Sequence, residues 1–552
     1  MQIHKLTIAL TFGLSILIFG GCQGGKTDSA SSQEVPKTGP ISAYTEVIAF
    51  SSIPAQGFGL VAGLSGTGSS QCPPQVRDYL RQYVISKLPK DSTTSADAII
   101  DSIDTAPVKI EGIIPPAAQK GDTFDVKVTA VPGTQTTSLK GGTLYTAEMF
   151  LTRSSRKVAT AQGSIYIDEF DSNDLRTGYI PGGGAPIDSY TINLGLFKPD
   201  YKLANIIRNR INERFGDGVA TAPSSAIITF EIPAEYKDQR AKFLAMVKGL
   251  YIGESMDMRK KRVEQLVAEL GDPVKGRLAE ISLEGLGRTE QEAVLPALKS
   301  SDPNTRLRAG KCLLAMGANE ALDVLRGFAA DNSSPYQLEA INSIALDGPR
   351  NEALNILRPI LASSSEKTRI AVYEHLRRLN DPLITTTRIG NSFEVDEVKI
   401  TSPAVVYAFR AGHQRIVLFG SPQLSADVFA QSTNNEIVVT SLSGDANVSV
   451  IRKHPRRNVI IGPIKTRRDL IDVIIGMAEA PPEQNRRVGR YGLGIPYCDV
   501  VAMLKVMCDK GSIAAKFEES ALVKVKIEQP VGPAAQIQTK TSKQPQKVEK
   551  KK

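Results

Sequence analysis

"DTFDVKVTAVPGTQTTSLKGGTLYTAEMFLT", residues 122–152, opens with apolar Phe124, Val126, Val128 and Ala130 separated by polar Asp125, Lys127 and Thr129. A period of two is what a strand with one buried face requires. The pattern returns through Tyr145, Ala147, Met149 and Leu151, and the Pro, Gly, Ser and Gly-Gly residues between the runs are turn chemistry. Residues 122–152 therefore read as two strands joined by a long turn. Further on, "DYKLANIIRNRINERFGDG" (200–218) changes to helical spacing: Asp200 is placed to cap it, Ala204, Ile207, Ile211 and Phe215 share a face, and Gly216 and Gly218 stop it. "SAIITFEI" (225–232) is another strand, so the block from Ile41 to Ile232 is α+β and rich in β.

Upstream lies "QGFGLVAGLSGTGSS" (56–70), with Gly57, Gly59, Gly63, Gly66 and Gly68 in one short window. A phosphate-binding loop needs Lys and then Ser or Thr after its last glycine, to meet phosphate and metal; here Ser69 and Ser70 follow Gly68. A dinucleotide fingerprint needs a different glycine spacing at a strand-to-helix turn. These glycines read as backbone devices, supplying positive φ and close strand approach.

From about Glu254 to Asp381 the texture is helix after helix. Ala309, Ala340 and Ala371 recur at equal spacing, and "NEALDVL" (319–325) is echoed by "NEALNIL" (351–357). A repeat of about thirty residues built from two short helices indicates an α-solenoid of HEAT-like type, either a docking surface or a spacer. The next block returns to strands, "NEIVVTSL" (435–442) and "NVSVIRK" (447–453), and then to helices, "RRDLIDVIIGMAE" (467–479) and "PYCDVVAMLKVMCDKGS" (496–512), with Pro496 suited to a first turn.

The two ends carry no core pattern. Residues 1–25 show an apolar run from Leu6 to Phe19, then Gly20, Gly21 and Cys22, which reads as a secretory signal resembling that of bacterial lipoproteins, with Cys22 the lipidated residue. A Gly- and Ser-rich tether follows, and the last thirteen residues hold six lysines against one glutamate. The chain thus divides into a signal (1–21), a tether (22–40), an α+β part (41–253), helical repeats (254–385), a β/α part (386–528) and a disordered basic tail (529–552).

Net charge is +9, yet tryptophan is absent and no aromatic–basic cluster appears, which argues against nucleic acid. A basic surface outside the cell would attract peptidoglycan carboxylates, anionic lipid headgroups or an acidic protein face. Cys72, Cys312, Cys498 and Cys508 match no zinc spacing. Cys498 and Cys508, ten residues apart on one helix, would sit about 15 Å apart, beyond the reach of a disulfide. Buried free thiols are expected, with pairing to Cys72 or Cys312 open. Of the histidines, only His375, His413 and His454 lie outside the signal, and no nucleophile or carboxylate constellation accompanies them. No catalytic, cofactor or metal residue is assigned.

The segment 57–70, "GFGLVAGLSGTGSS", is similar to the glycine-rich stretch near the start of mature flagellar P-ring proteins. So is 108–165, with Pro115 and Pro116, the Lys120–Asp122 turn, the Gly141-Gly142 turn and Ala161–Gly163. The C-terminal "YGLGIPYCDVVAMLKVMCDKGSIAAKFE" (491–518) resembles that family's last element. The resemblance implies a non-enzymatic periplasmic subunit that assembles with itself into a ring around the flagellar rod, against peptidoglycan and beneath the L ring, without cofactor. Gly57–Ser70 and the turn Ser138–Thr143, with Gly141 and Gly142, are expected to shape the ring-forming body. The repeats, the basic tail and a lipid on Cys22, sorted to the outer membrane, depart from the family's pattern and suggest a further protein partner. The alternative is a lipid-anchored scaffold that presents the repeats without a flagellar role.

Overall fold

The structure, a computed structural model, describes residues 38–87, 95–167, 174–363, 365–390, 392–401, 403–453, 459–481 and 490–521. The signal, Cys22, most of the tether, His454 and the basic tail lie outside the described residues.

Six strands close into an antiparallel barrel: Ile53–Ala62, Thr105–Ile114, Phe124–Ala130, Thr143–Leu151, Lys157–Ser164 and Thr177–Pro186. Around the barrel they follow the order first, second, third, sixth, fifth, fourth, and the fourth closes onto the first. Inward-facing Val108, Ile110, Val126, Val128 and Met149 are wholly buried and fill the interior. The alternation over Phe124–Ala130 is the one its sequence prescribes. In Thr143–Leu151 it is not: Leu144 and Ala147 point inward while Tyr145 is 60% exposed. The register against Lys157–Ser164 shifts between Leu144 and Ala147, and this bulge turns Tyr145 outward.

Beside the barrel stands a four-stranded antiparallel sheet in the order Ala220–Thr221, Ile227–Phe230, Ile192–Leu196, Thr45–Ala49. Helices Tyr201–Phe215 and Arg240–Gly249 cover one face of it, burying Ile207, Ile211 and Phe243 against Leu194 and Phe230. The first of these helices starts where its sequence says: Asp200 accepts from the amides of Lys202 at 2.8 Å and Leu203 at 3.1 Å. It ends at Gly216, whose φ of +114° a side chain would resist.

The segment expected to hold the repeats is a stack of helices running from Met256–Glu269 to Glu366–Arg378. Ala309 and Ala340 are fully buried, Ala371 half-buried, so the recurring alanine marks where neighbouring helices approach closely. Asp302 and Ser365 cap two of these helices through the amides of Thr305 and Thr368.

The last block begins with strand Ile384–Ile389, just inside the range assigned to the repeats by sequence. Its five-stranded mixed sheet runs Ile384–Ile389, Phe393–Val398, Arg415–Phe419, Val405–Phe409, Lys516–Glu519. One face, with Val398, Val405, Tyr407 and Phe419, shares a core with the helical stack. The other, with Val395, Val406, Ile416 and Leu418, packs on helices Leu470–Ala478 and Tyr497–Asp509 and on a four-stranded meander spanning residues 428–466. Pro496 sits at the N-cap with extended backbone, one position ahead of the first turn that its sequence suggested. No helix among the described residues is long and apolar enough to cross a membrane.

Candidate assembly core

The glycine-rich segment divides between a strand and a strap. Gly57 and Gly59 lie on the strand Ile53–Ala62, where the barrel closes. A Cβ on Gly57 would sit 2.2 Å from the Glu148 carbonyl oxygen, and one on Gly59 would sit 2.8 Å from the Leu144 Cδ1. Pairing between the two closing strands is interrupted from Gln56 to Val61, opposite the bulge at Tyr145 and Thr146. Bare backbone at Gly57 and Gly59 is what lets the bulged strand come in. Tyr83 reaches across from the helix Pro74–Lys87 and donates its hydroxyl to the Thr146 carbonyl.

Residues 63–70 then form a strap laid between two loops. The Gly66 amide donates to Asp104 Oδ1 at 3.0 Å, Gly68 to the Ile103 carbonyl at 2.9 Å and Ser69 to the Thr105 carbonyl at 2.8 Å. On its other side, Thr67 Oγ1 donates to the Ser138 carbonyl at 2.8 Å and its carbonyl accepts from the Thr137 amide at 2.9 Å. These amides, which a phosphate cradle would leave facing a ligand, are all committed to protein oxygens.

The second glycine turn joins the barrel to the C-terminal part. Gly141 has φ of +72°, and a Cβ on Gly142 would lie 2.5 Å from Val61 and 2.8 Å from Leu64. Lys140 Nζ, within the same turn, is 2.9 Å from Asp499 Oδ1 at the start of the helix Tyr497–Asp509. Asp125 adds a clasp: its Oδ1 accepts from the amides of Gly182 at 2.7 Å and Gly412 at 2.9 Å, one in the barrel and one in the loop joining Val405–Phe409 to Arg415–Phe419. Burial pushes the Asp125 carboxyl upward despite these donors. At the Lys120–Asp122 turn, burial pushes Asp122 upward too. Hydrogen bonds from Lys237, the Gln119 amide and Arg240 outweigh it and hold the group at about 2.

Polar contacts also tie in both ends of the helical stack. At its start, Arg214 donates to the carbonyls of Gly285 and Glu284, and Lys242 Nζ lies 2.8 Å from Glu284 Oε2. Desolvation pushes the Glu284 carboxyl well above the carboxylate range. At its far end, buried Arg369 pairs with Glu518 on the last strand. Asp396, wholly buried, accepts from Tyr373, Arg377 and Thr386. His375 lies in the final helix, 2.7 Å from Asn342 Oδ1, and burial followed by the nearby Arg378 charge lowers it to about 4. Cys72, Cys312 and Cys508 are free thiols, and Cys312 is buried with its Sγ 3.1 Å from the Glu280 carbonyl.

The sequence-chosen glycines thus converge on the closing seam, its strap and the junction with the C-terminal helix. Cys22 lies outside the described residues. Sequence reading missed the Asp125, Arg369–Glu518 and Asp396 clusters, whose partners stand far apart in the chain and form no motif. Among the described residues, no group of three or more His, Cys, Asp or Glu is placed to hold a metal.

Barrel, companion sheet and helical stack, locked by contacts of long sequence separation, define a β-barrel scaffold joined to a stack of helices. Residues 41–263 match the family model described as flagellar P-ring protein. The chain is 26% identical to the flagellar P-ring protein of Albidiferax ferrireducens over 394 residues, a match that takes in 97% of the relative and 64% of this chain. With that of Thiobacillus denitrificans it shares 24% identity over 85% of the relative and 52% of this chain. With that of Geobacter metallireducens the figures are 28%, 56% and 36%.

Proposed function

We propose that this chain is a structural subunit of the periplasmic P ring in the flagellar basal body, a part that supports rotation without catalysing a reaction. The observation that carries the reading is the match to nearly the whole of a P-ring relative by only part of this chain, which leaves about a third of it as additional structure. A ring built from one kind of subunit needs two different patches that meet head to tail, on a body stiff enough to keep their angle fixed. The closed barrel, and the clasps from Lys140 and Asp125 to the C-terminal part, supply that stiffness. The proposed neighbours are other copies in the ring, the rod, the L ring and peptidoglycan. A lipid on Cys22 would hold the assembly to the outer membrane, and the helical stack would take a protein partner.

Electron microscopy of detergent-purified basal bodies carrying a label on this chain tests the reading. Label in a ring around the rod is expected. Intact basal bodies without label would overturn it, and would leave an envelope scaffold with no flagellar role.

A further inference from the structure

We propose that neighbouring copies meet through two particular sheet edges: the strand Thr45–Ala49 of one copy against the strand Val428–Gln431 of the next. The inference rests on the ring reading and adds to it where the subunits touch.

Thr45–Ala49 ends its sheet and pairs on one side only. Across the outward face of that sheet, Ile48 lies over Gly195, which stands opposite Ile227. Phe197 follows two residues along the same strand line, and Tyr201 opens the next helix. Ile48 is 56% exposed, Phe197 59% and Tyr201 69%, an apolar strip at an open edge. Exposed Lys198 and Lys202 stand at its rim.

Val428–Gln431 ends the meander in the same way. Phe429 is 65% exposed and Leu442 70%; the register pairs Phe429 with Thr440, so Leu442 is its diagonal neighbour on the same face. Here the exposed rim carries Asp427 and Asp445, with the half-buried Arg468 between them donating to the carbonyls of Ala426 and Asp445.

Soluble proteins protect open edges with proline, lysine or other charges. Two other edges of this molecule carry such residues: Ile460–Thr466 has Pro463 and Lys465, and Ile384–Ile389 has Arg388. Neither Thr45–Ala49 nor Val428–Gln431 contains proline, lysine or arginine; the one charge within either strand is exposed Glu46. Two edges without proline or lysine, each beside large exposed apolar side chains and with rims of opposite net charge, are what a heterologous contact between copies requires. A second copy fits both at once, because Lys198 and Lys202 outnumber Glu46 on one patch, while Asp427 and Asp445 outnumber Arg468 on the other.

The test uses the full-length chain in its native organism, in cells whose wild-type basal bodies carry label from this chain in a ring. Ile48→Cys combined with Phe429→Cys should give a ladder of disulfide-linked multimers under oxidising conditions, and Ile48→Cys combined with Val274→Cys should not. Asp427→Lys with Asp445→Lys should cut the number of rings by about tenfold, and adding Lys198→Glu with Lys202→Glu should restore them. A merely misfolded variant would not be rescued by a second pair of surface changes. Rings that form normally in the Asp427/Asp445 variant, or that give no ladder with the first cysteine pair, would overturn this interface and leave the ring reading standing. Basal bodies with no label in the wild type would remove both.

Discussion

Gly57 and Gly133 separate two reasons for keeping a glycine. At Gly57 the backbone is ordinary, but an added Cβ would meet the Glu148 carbonyl at 2.2 Å, and only strand movement relieves that. At Gly133 φ is +79° with open space around it. Gly57→Ala should therefore cost about 1–3 kcal/mol through overpacking, and Gly133→Ala only about 1 kcal/mol of backbone strain. Thermal unfolding of the two variants checks the order. Asp122 gives a pH signature. Its folded value of about 2 lies below the unfolded one of about 3.9, so its contribution is complete above pH 4 and disappears as pH falls through the folded value. Asp122→Asn should flatten the loss of stability between about pH 4 and pH 2, measured by urea unfolding at each pH.

The helix Glu366–Arg378 and the strand Lys516–Glu519 are joined by the Arg369–Glu518 pair, with side-chain exposures of 6% and 4%. Glu518→Gln would leave Arg369 buried and uncompensated, at a cost of about 3–5 kcal/mol. Arg369→Met with Glu518→Met should cost markedly less than Glu518→Gln, because no charge is then stranded. A double-mutant cycle in chemical denaturant reads both. These strongly periodic elements were legible in sequence: the helix after Asp200, the strand Phe124–Ala130 and the repeat helices all follow their apolar spacing. Tyr145 did not, because a bulge depends on the partner strand, which local alternation cannot register.

The repeat stack is not a bead on a string. Val372, Tyr373 and Leu376 lie in one core with Val405, Tyr407, Val417 and Phe419 of the C-terminal sheet. Excising residues 254–381 would uncover that apolar face, so the deleted chain should fail to fold and should be found as degraded or aggregated protein after expression. Hydrogen exchange on the intact chain should protect the helix Glu366–Arg378 and the strand Lys516–Glu519 as one cooperative unit. Surface changes on the stack, rather than its removal, are the way to ask whether it binds a partner.

The sequence by itself determined the α+β class, the switch from period two to helical spacing near residue 254, the caps and stops, and the reading of the glycines as backbone devices rather than a phosphate cradle. Each of these is encoded locally, by apolar spacing or by a residue type that only one backbone geometry accepts. Only the tertiary structure decided that the barrel closes on Gly57 and Gly59, that Lys140 and Asp125 bind it to residues hundreds of positions away, and that the helical stack shares a core with the last sheet. Those contacts depend on which surfaces meet after the chain has folded back on itself, and no periodicity along the chain carries that information.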